Sequence, residues 1–336
     1  SEANEELRMK KLLKKTLKLI LPVVLGGFIL FWVYRDFDFT KAGDVLLHGT
    51  NWWWMLFSLL FGVFAQVFRG WRWRQTLEPL DAFPKKSDCV NAIFISYAAS
   101  LVVPRIGEVS RCGVLAKYDN VSFAKSLGTV VTERLVDTLT ILLITGITVL
   151  LQLPIFVTFL QQTGTKIPSL VHLLTSVWFY IILFCFIGVA ILLYYLRKTL
   201  FFYERVKGFV LNIWEGIMSL KGVRNIPLFI FYTLAIWACY FLHFYFTFYC
   251  FAFTAHLGIL AALVMFVGGT FAVIVPTPNG AGPWHFAIIS MMMLYGVNVT
   301  DAGIFALIVH GIQTFLVVLL GIYGFAVLSF TNRHRG

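Results

Sequence analysis

The chain has 336 residues, of which 59% are hydrophobic and 13% charged, and 27 Lys and Arg against 16 Asp and Glu give it a net charge of +11. Soluble domains carry roughly a quarter charged residues, and several apolar runs here reach the ~18 residues that span a bilayer, so an ordinary soluble fold is excluded. The basic residues gather beside the apolar runs, which fits membrane orientation and argues against nucleic acid as a partner.

The first segment, residues 1–51, opens with Arg8, Lys10, Lys11, Lys14, Lys15 and Lys18 ahead of an apolar run from Leu17 to Tyr34. The run is too long for a signal-peptide core, and Arg35-Asp36-Phe37-Asp38 follows it instead of a small-residue cleavage site, which predicts an uncleaved first span with a cytoplasmic N-terminus. An outer loop leads to Trp52.

Residues 52–152 form the first repeat unit. Its span runs from Trp52 to Phe68 and ends in Arg69-Gly70-Trp71-Arg72-Trp73-Arg74, expected to be a cytoplasmic interfacial anchor that also gathers anionic headgroups. The apolar stretch from Cys89 to Val103 is too short to cross, about 22 Å at 1.5 Å per residue. Pro104-Arg105-Ile106-Gly107-Glu108 breaks it, and a polar segment continues to Asp119, which predicts a re-entrant hairpin over residues 88–119. A long helix then runs from Ser122 to Leu151.

Residues 153–225 link the halves. They hold a loop with Pro154 and Thr163-Gly164-Thr165, a span from Val171 to Tyr195, and an amphipathic surface helix between Phe201 and Lys221. Residues 226–330 form the second unit: a span from Ile226 to Cys250, a short apolar segment from Leu257 to Val275, the break Pro276-Thr277-Pro278-Asn279-Gly280-Ala281-Gly282-Pro283, a short helix from Trp284 to Tyr295, and a last span from Thr300 to Phe330. The second hairpin covers residues 256–296.

The halves match in order. Val102-Val103-Pro104 answers Ile274-Val275-Pro276, and Asn120-Val121-Ser122-Phe123-Ala124 answers Asn298-Val299-Thr300-Asp301-Ala302, with Ser122 and Thr300 as expected helix caps. Counting crossings sets the units in opposite orientations. The expected fold is an all-α polytopic membrane protein with six full transmembrane helices and two re-entrant helical hairpins in an inverted repeat, both termini cytoplasmic. Transporters with this plan place the substrate at the broken helix tips.

Those tips carry the candidate binding residues. Arg105, Arg111 and Arg134 offer forked donors to an anion, and the helix starting at Trp284, after Asn279, Gly280 and Gly282, is expected to turn its free N–H groups toward the same group. Glu133 and Asp137 lie four apart on one helical face, and Glu108 and Arg111 three apart on another. A charge at membrane depth costs about 2.5–3.5 kcal/mol. These carboxylates therefore either neutralise arginines or carry protons, and His285 and His310 are further titratable candidates. The five cysteines form no CxxC pair, and no metal-ligand spacing, phosphate loop or hydrolase motif is present, so no cofactor, metal or catalytic residue is expected.

Three local motifs, PRIGEVSR at Pro104–Arg111, TERLVD at Thr132–Asp137 and PTPNGAGPWH at Pro276–His285, resemble the flippase-like transmembrane region of lysylphosphatidylglycerol synthases, in its stand-alone form without the aminoacyl-transferase domain. The resemblance implies a polytopic protein that moves modified phospholipids or related glycolipids between leaflets. Asn279 and His285 depart from the family pattern, which usually reads PTPGG and ends in a glutamate.

The expected function is therefore a non-enzymatic lipid translocator in a bacterial inner membrane, moving an anionic phospholipid, aminoacyl-lipid or lipid-linked glycan headgroup. Its expected partners are membrane lipids, a headgroup substrate and a lipid-modifying enzyme; the oligomeric state stays open. The alternatives are an intramembrane enzyme acting on a lipid phosphate and a non-catalytic scaffold for a lipid-modifying enzyme.

Overall fold

A computed structural model describes residues 2–162, 177–195 and 220–332, together with Glu204 and Lys207. Every regular element among them is helical. The chain divides into two compact units, Ser1–Leu151 with Val223–Gly336, and Gln152–Gly222.

In the larger unit, α1 (Glu2–Tyr34) is continuous through the basic residues and the apolar run, so the charged head and the first span are one helix. A short α2 (Phe39–Asp44) follows, capped by Asp38, whose carboxylate accepts from the Thr40 and Lys41 N–H groups. Helix α3 (Trp52–Leu77) starts at Asn51, whose side-chain oxygen accepts from the Trp53 and Trp54 N–H groups, and it runs nine residues past the expected end at Phe68. The first hairpin consists of α4 (Lys86–Val102) and α5 (Ile106–Asp119), joined by a tight break in which Arg105 adopts left-handed backbone with φ 66°. Gly107 is required there, because a Cβ would drive into the Ser96 carbonyl and the Ser100 hydroxyl of α4. Helix α6 (Phe123–Leu151) begins as expected at Ser122, whose hydroxyl accepts from the Lys125 N–H at 3.4 Å.

The smaller unit contains α7 (Leu153–Gln162) and α8 (Val177–Tyr195). Helix α7 replaces part of the expected loop, because Pro154 sits in its first turn, where a missing N–H costs nothing. The amphipathic segment 201–221 lies almost wholly outside the described residues.

The chain returns to the larger unit with α9 (Ile226–Tyr245), α10 (Ile259–Ala272), α11 (Pro283–Leu294) and α12 (Val299–Asn332). Helix α12 is capped by Asn298, whose Oδ1 accepts from the Asp301 N–H at 2.8 Å, and not by the expected Thr300. The two Asn-Val-Ser/Thr motifs are thus used differently, since Asn120 ends α5 in left-handed backbone.

Packing between the halves is reciprocal. Helices α3 and α9 lie along each other, α4 packs on α12, and α10 packs on α6, so the first helix of each hairpin rests on the long closing helix of the other half. Within each half the hairpin helices also pair, α4 with α5 and α10 with α11. Phe244, Phe248, Phe251 and Phe305 are fully or nearly fully buried at the centre of one apolar cluster, and Trp73, Leu77, Ile93 and Leu115 anchor another. Large apolar side chains such as Phe28, Phe31, Leu143 and Phe325 are exposed, as a lipid-facing surface requires.

Five helices among the described residues are long and apolar enough to cross a membrane: Glu5–Tyr34, Trp52–Leu80, Phe123–Leu151, Ile226–Cys250 and Val299–Thr331. They correspond to five of the six expected spans, and the sixth, 171–195, is described as helix from Val177. The protein is a multi-pass helical membrane protein.

Gly107→Ala is expected to lower thermal stability by about 1–3 kcal/mol through overpacking at the α4–α5 contact. Gly128→Ala, which meets nothing within 4 Å, is the control and should not destabilise. Melting of the detergent-solubilised variants measures both.

Candidate functional site

The two breaks meet at one cavity of about 620 Å³. Its wall takes Pro104, Arg105, Gly107, Glu108 and Arg111 from the first half, Arg134 and Thr138 from α6, and Pro276, Thr277, Asn279 and Gly280 from the second break. Six of the eleven sequence-predicted residues therefore line it together: Arg105, Glu108, Arg111, Arg134, Asn279 and Gly280. Arg105 is exposed at the tip. Arg134 pairs with Glu108 through its Nε at 2.5 Å, with both side chains partly exposed.

Beneath the cavity lies a buried ion cluster. Arg69 Nη1 donates to Asp137 Oδ2 at 2.6 Å, and Arg72 Nη2 to Asp137 Oδ1 at 2.9 Å. Arg72 Nε also reaches Glu133 Oε1 at 3.4 Å. Arg111 Nη2 stands 2.8 Å from Glu133 Oε2 as a charge contact, without the alignment of a hydrogen bond, and its guanidinium lies 4.7 Å over the Trp73 ring. Arg72 is fully enclosed and Glu133 is 1% exposed. The i,i+4 spacing of Glu133 and Asp137 on α6 and the i,i+3 spacing of Arg69 and Arg72 on α3 turn both pairs toward one another across the helix contact.

Glu133 and Asp137 thus serve as counter-charges. Across the cluster and the cavity, five guanidiniums (Arg69, Arg72, Arg105, Arg111, Arg134) face three carboxylates (Glu108, Glu133, Asp137), which leaves two positive charges uncompensated among them. The site therefore carries a net positive charge.

The remaining expected residues lie elsewhere. Asp137 and Trp284 line a second, adjoining cavity of about 520 Å³. Gly282 and His285 line neither. Gly282, with φ 98°, lies against α1, where a Cβ would meet the Gly26 carbonyl and Ile29 within 3 Å. Its N–H donates to His285 Nδ1 at 3.2 Å, and His285 is buried against Tyr34 and His310. The start of α11 is therefore turned onto α1, and the expected free helix N-terminus does not reach the cationic cavity. The second break is held instead by α12: His310 Nε2 donates to the Asn279 carbonyl at 3.0 Å, and Asn279 Nδ2 donates to Thr314 Oγ1 at 2.8 Å.

Sequence reasoning missed Arg69 and Arg72, which it placed in a surface anchor, and the tyrosine pair Tyr97 and Tyr240, whose hydroxyls lie 2.7 Å apart with Arg69 Nε donating to Tyr240 at 3.3 Å. The available signal was the match between two arginines three apart and two carboxylates four apart, both in apolar helices.

The fold and the cavity define a polytopic helical membrane protein with a cationic site at two paired helix breaks. The chain belongs to the family described as the lysylphosphatidylglycerol synthase TM region, whose model matches residues 19–321. Comparison with curated proteins and with solved structures finds no match.

Asp137→Ala would leave Arg69 and Arg72 buried without a shared counter-charge and is expected to cost about 3–5 kcal/mol. Glu108→Gln, at the partly exposed rim, should change the melting temperature much less; equal losses in the two variants would contradict the burial difference.

Proposed function

We propose that the protein is a non-enzymatic lipid translocator that carries an anionic headgroup past the two broken helix tips. The observation that carries this proposal is the meeting of both breaks at one cavity whose arginines outnumber its acids. Membership of a membrane family related to lipid handling supports it. The phosphate of the lipid would lie between Arg105 and Arg134, which present forked donors suited to phosphate. Asn279 and Gly280 would close the site from the other half.

In this proposal the helix pairs α4–α5 and α10–α11 are re-entrant hairpins of an inverted repeat, α8 belongs to a sixth span, and both termini face the cytoplasm of a bacterial inner membrane. The reciprocal packing of α4 on α12 and α10 on α6 supports the repeat. The lengths of α4 and α10, 17 and 14 residues, support re-entry, since about 20 residues are needed to cross. The engagement of Glu133 and Asp137 by buried arginines favours transport over acid/base chemistry. Alternation between two access states would follow from differential binding of the lipid to each.

The test is mass spectrometry of lipids that co-purify with the wild type, Arg105→Ala and Arg134→Ala. Enrichment of one anionic class in the wild type, lost in both variants without loss of fold, is the expected result. Lipid profiles matching the bulk membrane in all three would overturn the headgroup assignment and favour a scaffold.

A further inference from the structure

The cationic cavity and its neighbour share Arg69, Tyr97, Arg134, Thr138, Val273 and Ile274, so the two adjoin along a common wall. Past that shared wall the character changes. Along α6 the lining passes from Arg134 through Thr138 to Ile141 and Leu142, a rise of about 12 Å over eight residues. Along the other side it passes from Ile274 and Val273 through Thr270 to Phe266 and Met265. The α6 wall therefore runs from charged to apolar, and the facing wall is apolar throughout apart from Thr270.

Most polar groups lining the second cavity are already engaged; the exception is Trp237, whose buried Nε1 has no hydrogen-bond partner among the described residues. Thr138 and Thr270 donate back to their own helix at the Arg134 and Phe266 carbonyls, each at 2.7 Å. His243 Nδ1 is 2.8 Å from the Ser58 carbonyl, and Gln313 Nε2 donates to the His243 carbonyl at 3.4 Å. Asp137 is held by Arg69 and Arg72. What remains on offer is largely hydrocarbon and aromatic surface, which favours an apolar occupant. Leu142, Phe271 and Ile274 line the cavity and are exposed, which places its accessible side at α6 and the end of α10.

We propose that the second cavity is a hydrocarbon subsite, which takes the upper segment of one chain of the lipid whose phosphate occupies the cationic cavity. The lipid lies along α6, phosphate at Arg134 and chain at Ile141 and Leu142, and enters from the accessible side. This rests on the anionic-lipid proposal and adds to it that part of the tail travels inside the protein instead of remaining in the bilayer. Apolar surface withdrawn from contact with the bilayer gains little by burial alone, since lipid tails are as apolar as the cavity wall. The subsite thus supplies orientation and selectivity for a chain directly attached to the headgroup.

The experiment uses a phosphatidylglycerol with a diazirine at mid-chain, incorporated with the full-length protein into phosphatidylcholine vesicles, irradiated, and mapped by peptide mass spectrometry. The expected labels fall on Ile141, Met265 and Phe266, and drop about tenfold in Leu142→Trp, whose larger indole would narrow the opening. Labels confined to outward-facing residues such as Phe28, Phe31 and Phe325 would overturn the subsite, and this arm needs no variant to fold. Arg105→Ala separates the two claims. Cavity labelling that persists there, with no anionic lipid enriched in the wild type, removes the headgroup assignment but keeps a chain site. Anionic enrichment without cavity labelling removes only the subsite.

Discussion

Three arginines and two carboxylates packed out of water impose the main constraint on this fold. Arg72 is fully enclosed, and a guanidinium so placed must meet counter-charge and hydrogen-bond acceptors or the helix will not bury it. Asp137 and Glu133 meet it from α6, Thr233 accepts from its Nη1 at 3.2 Å on α9, and Arg111 joins from α5. One cluster thereby fixes the rotation of α3 against α6 and ties both halves of the larger unit. Buried ion pairs are poor sources of net stability, because desolvation offsets most of the Coulomb attraction. Their better-attested use is register, and a cluster that binds four helices suits that use.

The cluster also sets the electrostatics of the cavity above it. Arg69 and Arg111 belong to both the cluster and the cavity wall, so their charges are pinned by acids on one side and face the cavity on the other. Arg105 is displayed at the end of a hairpin, on left-handed backbone that an arginine adopts only under tertiary constraint. Irregular backbone is tolerated at membrane depth only when buried in protein or lining a polar space. Both breaks line one polar cavity, the condition that the proposed re-entrant hairpins require, and α12 holds the second through His310 and Thr314.

Much of the fold was legible because apolar run length and Pro/Gly punctuation dictate helix and break in a membrane chain. The short helices and Ser122 as a cap follow from such local signals, and the expected approach of Pro104–Glu108 to Pro276–Pro283 follows from the repeat, of which the part up to Gly280 lines the shared cavity. Arg69 and Arg72 were not legible, since an Arg/Trp-rich stretch after an apolar run has the same pattern whether it anchors at an interface or turns inward to carboxylates 60 residues later. The turn at Gly282 was likewise hidden: whether a helix N-terminus faces a cavity or the first helix depends on a close approach to Gly26 and Ile29 that no local pattern encodes. His285 is explained by its place in that packed contact and by accepting from the Gly282 N–H.

The central claim, that the paired breaks pass an anionic headgroup across the bilayer, is tested most directly by leaflet exchange in reconstituted vesicles. Fluorescent phosphatidylglycerol and phosphatidylcholine would be followed by dithionite quenching of the outer leaflet. The account predicts that the protein accelerates exchange of the anionic lipid over the zwitterionic one and that Arg105→Ala abolishes the preference. Equal rates for both lipids, or an anionic preference unchanged in Arg105→Ala, would contradict it.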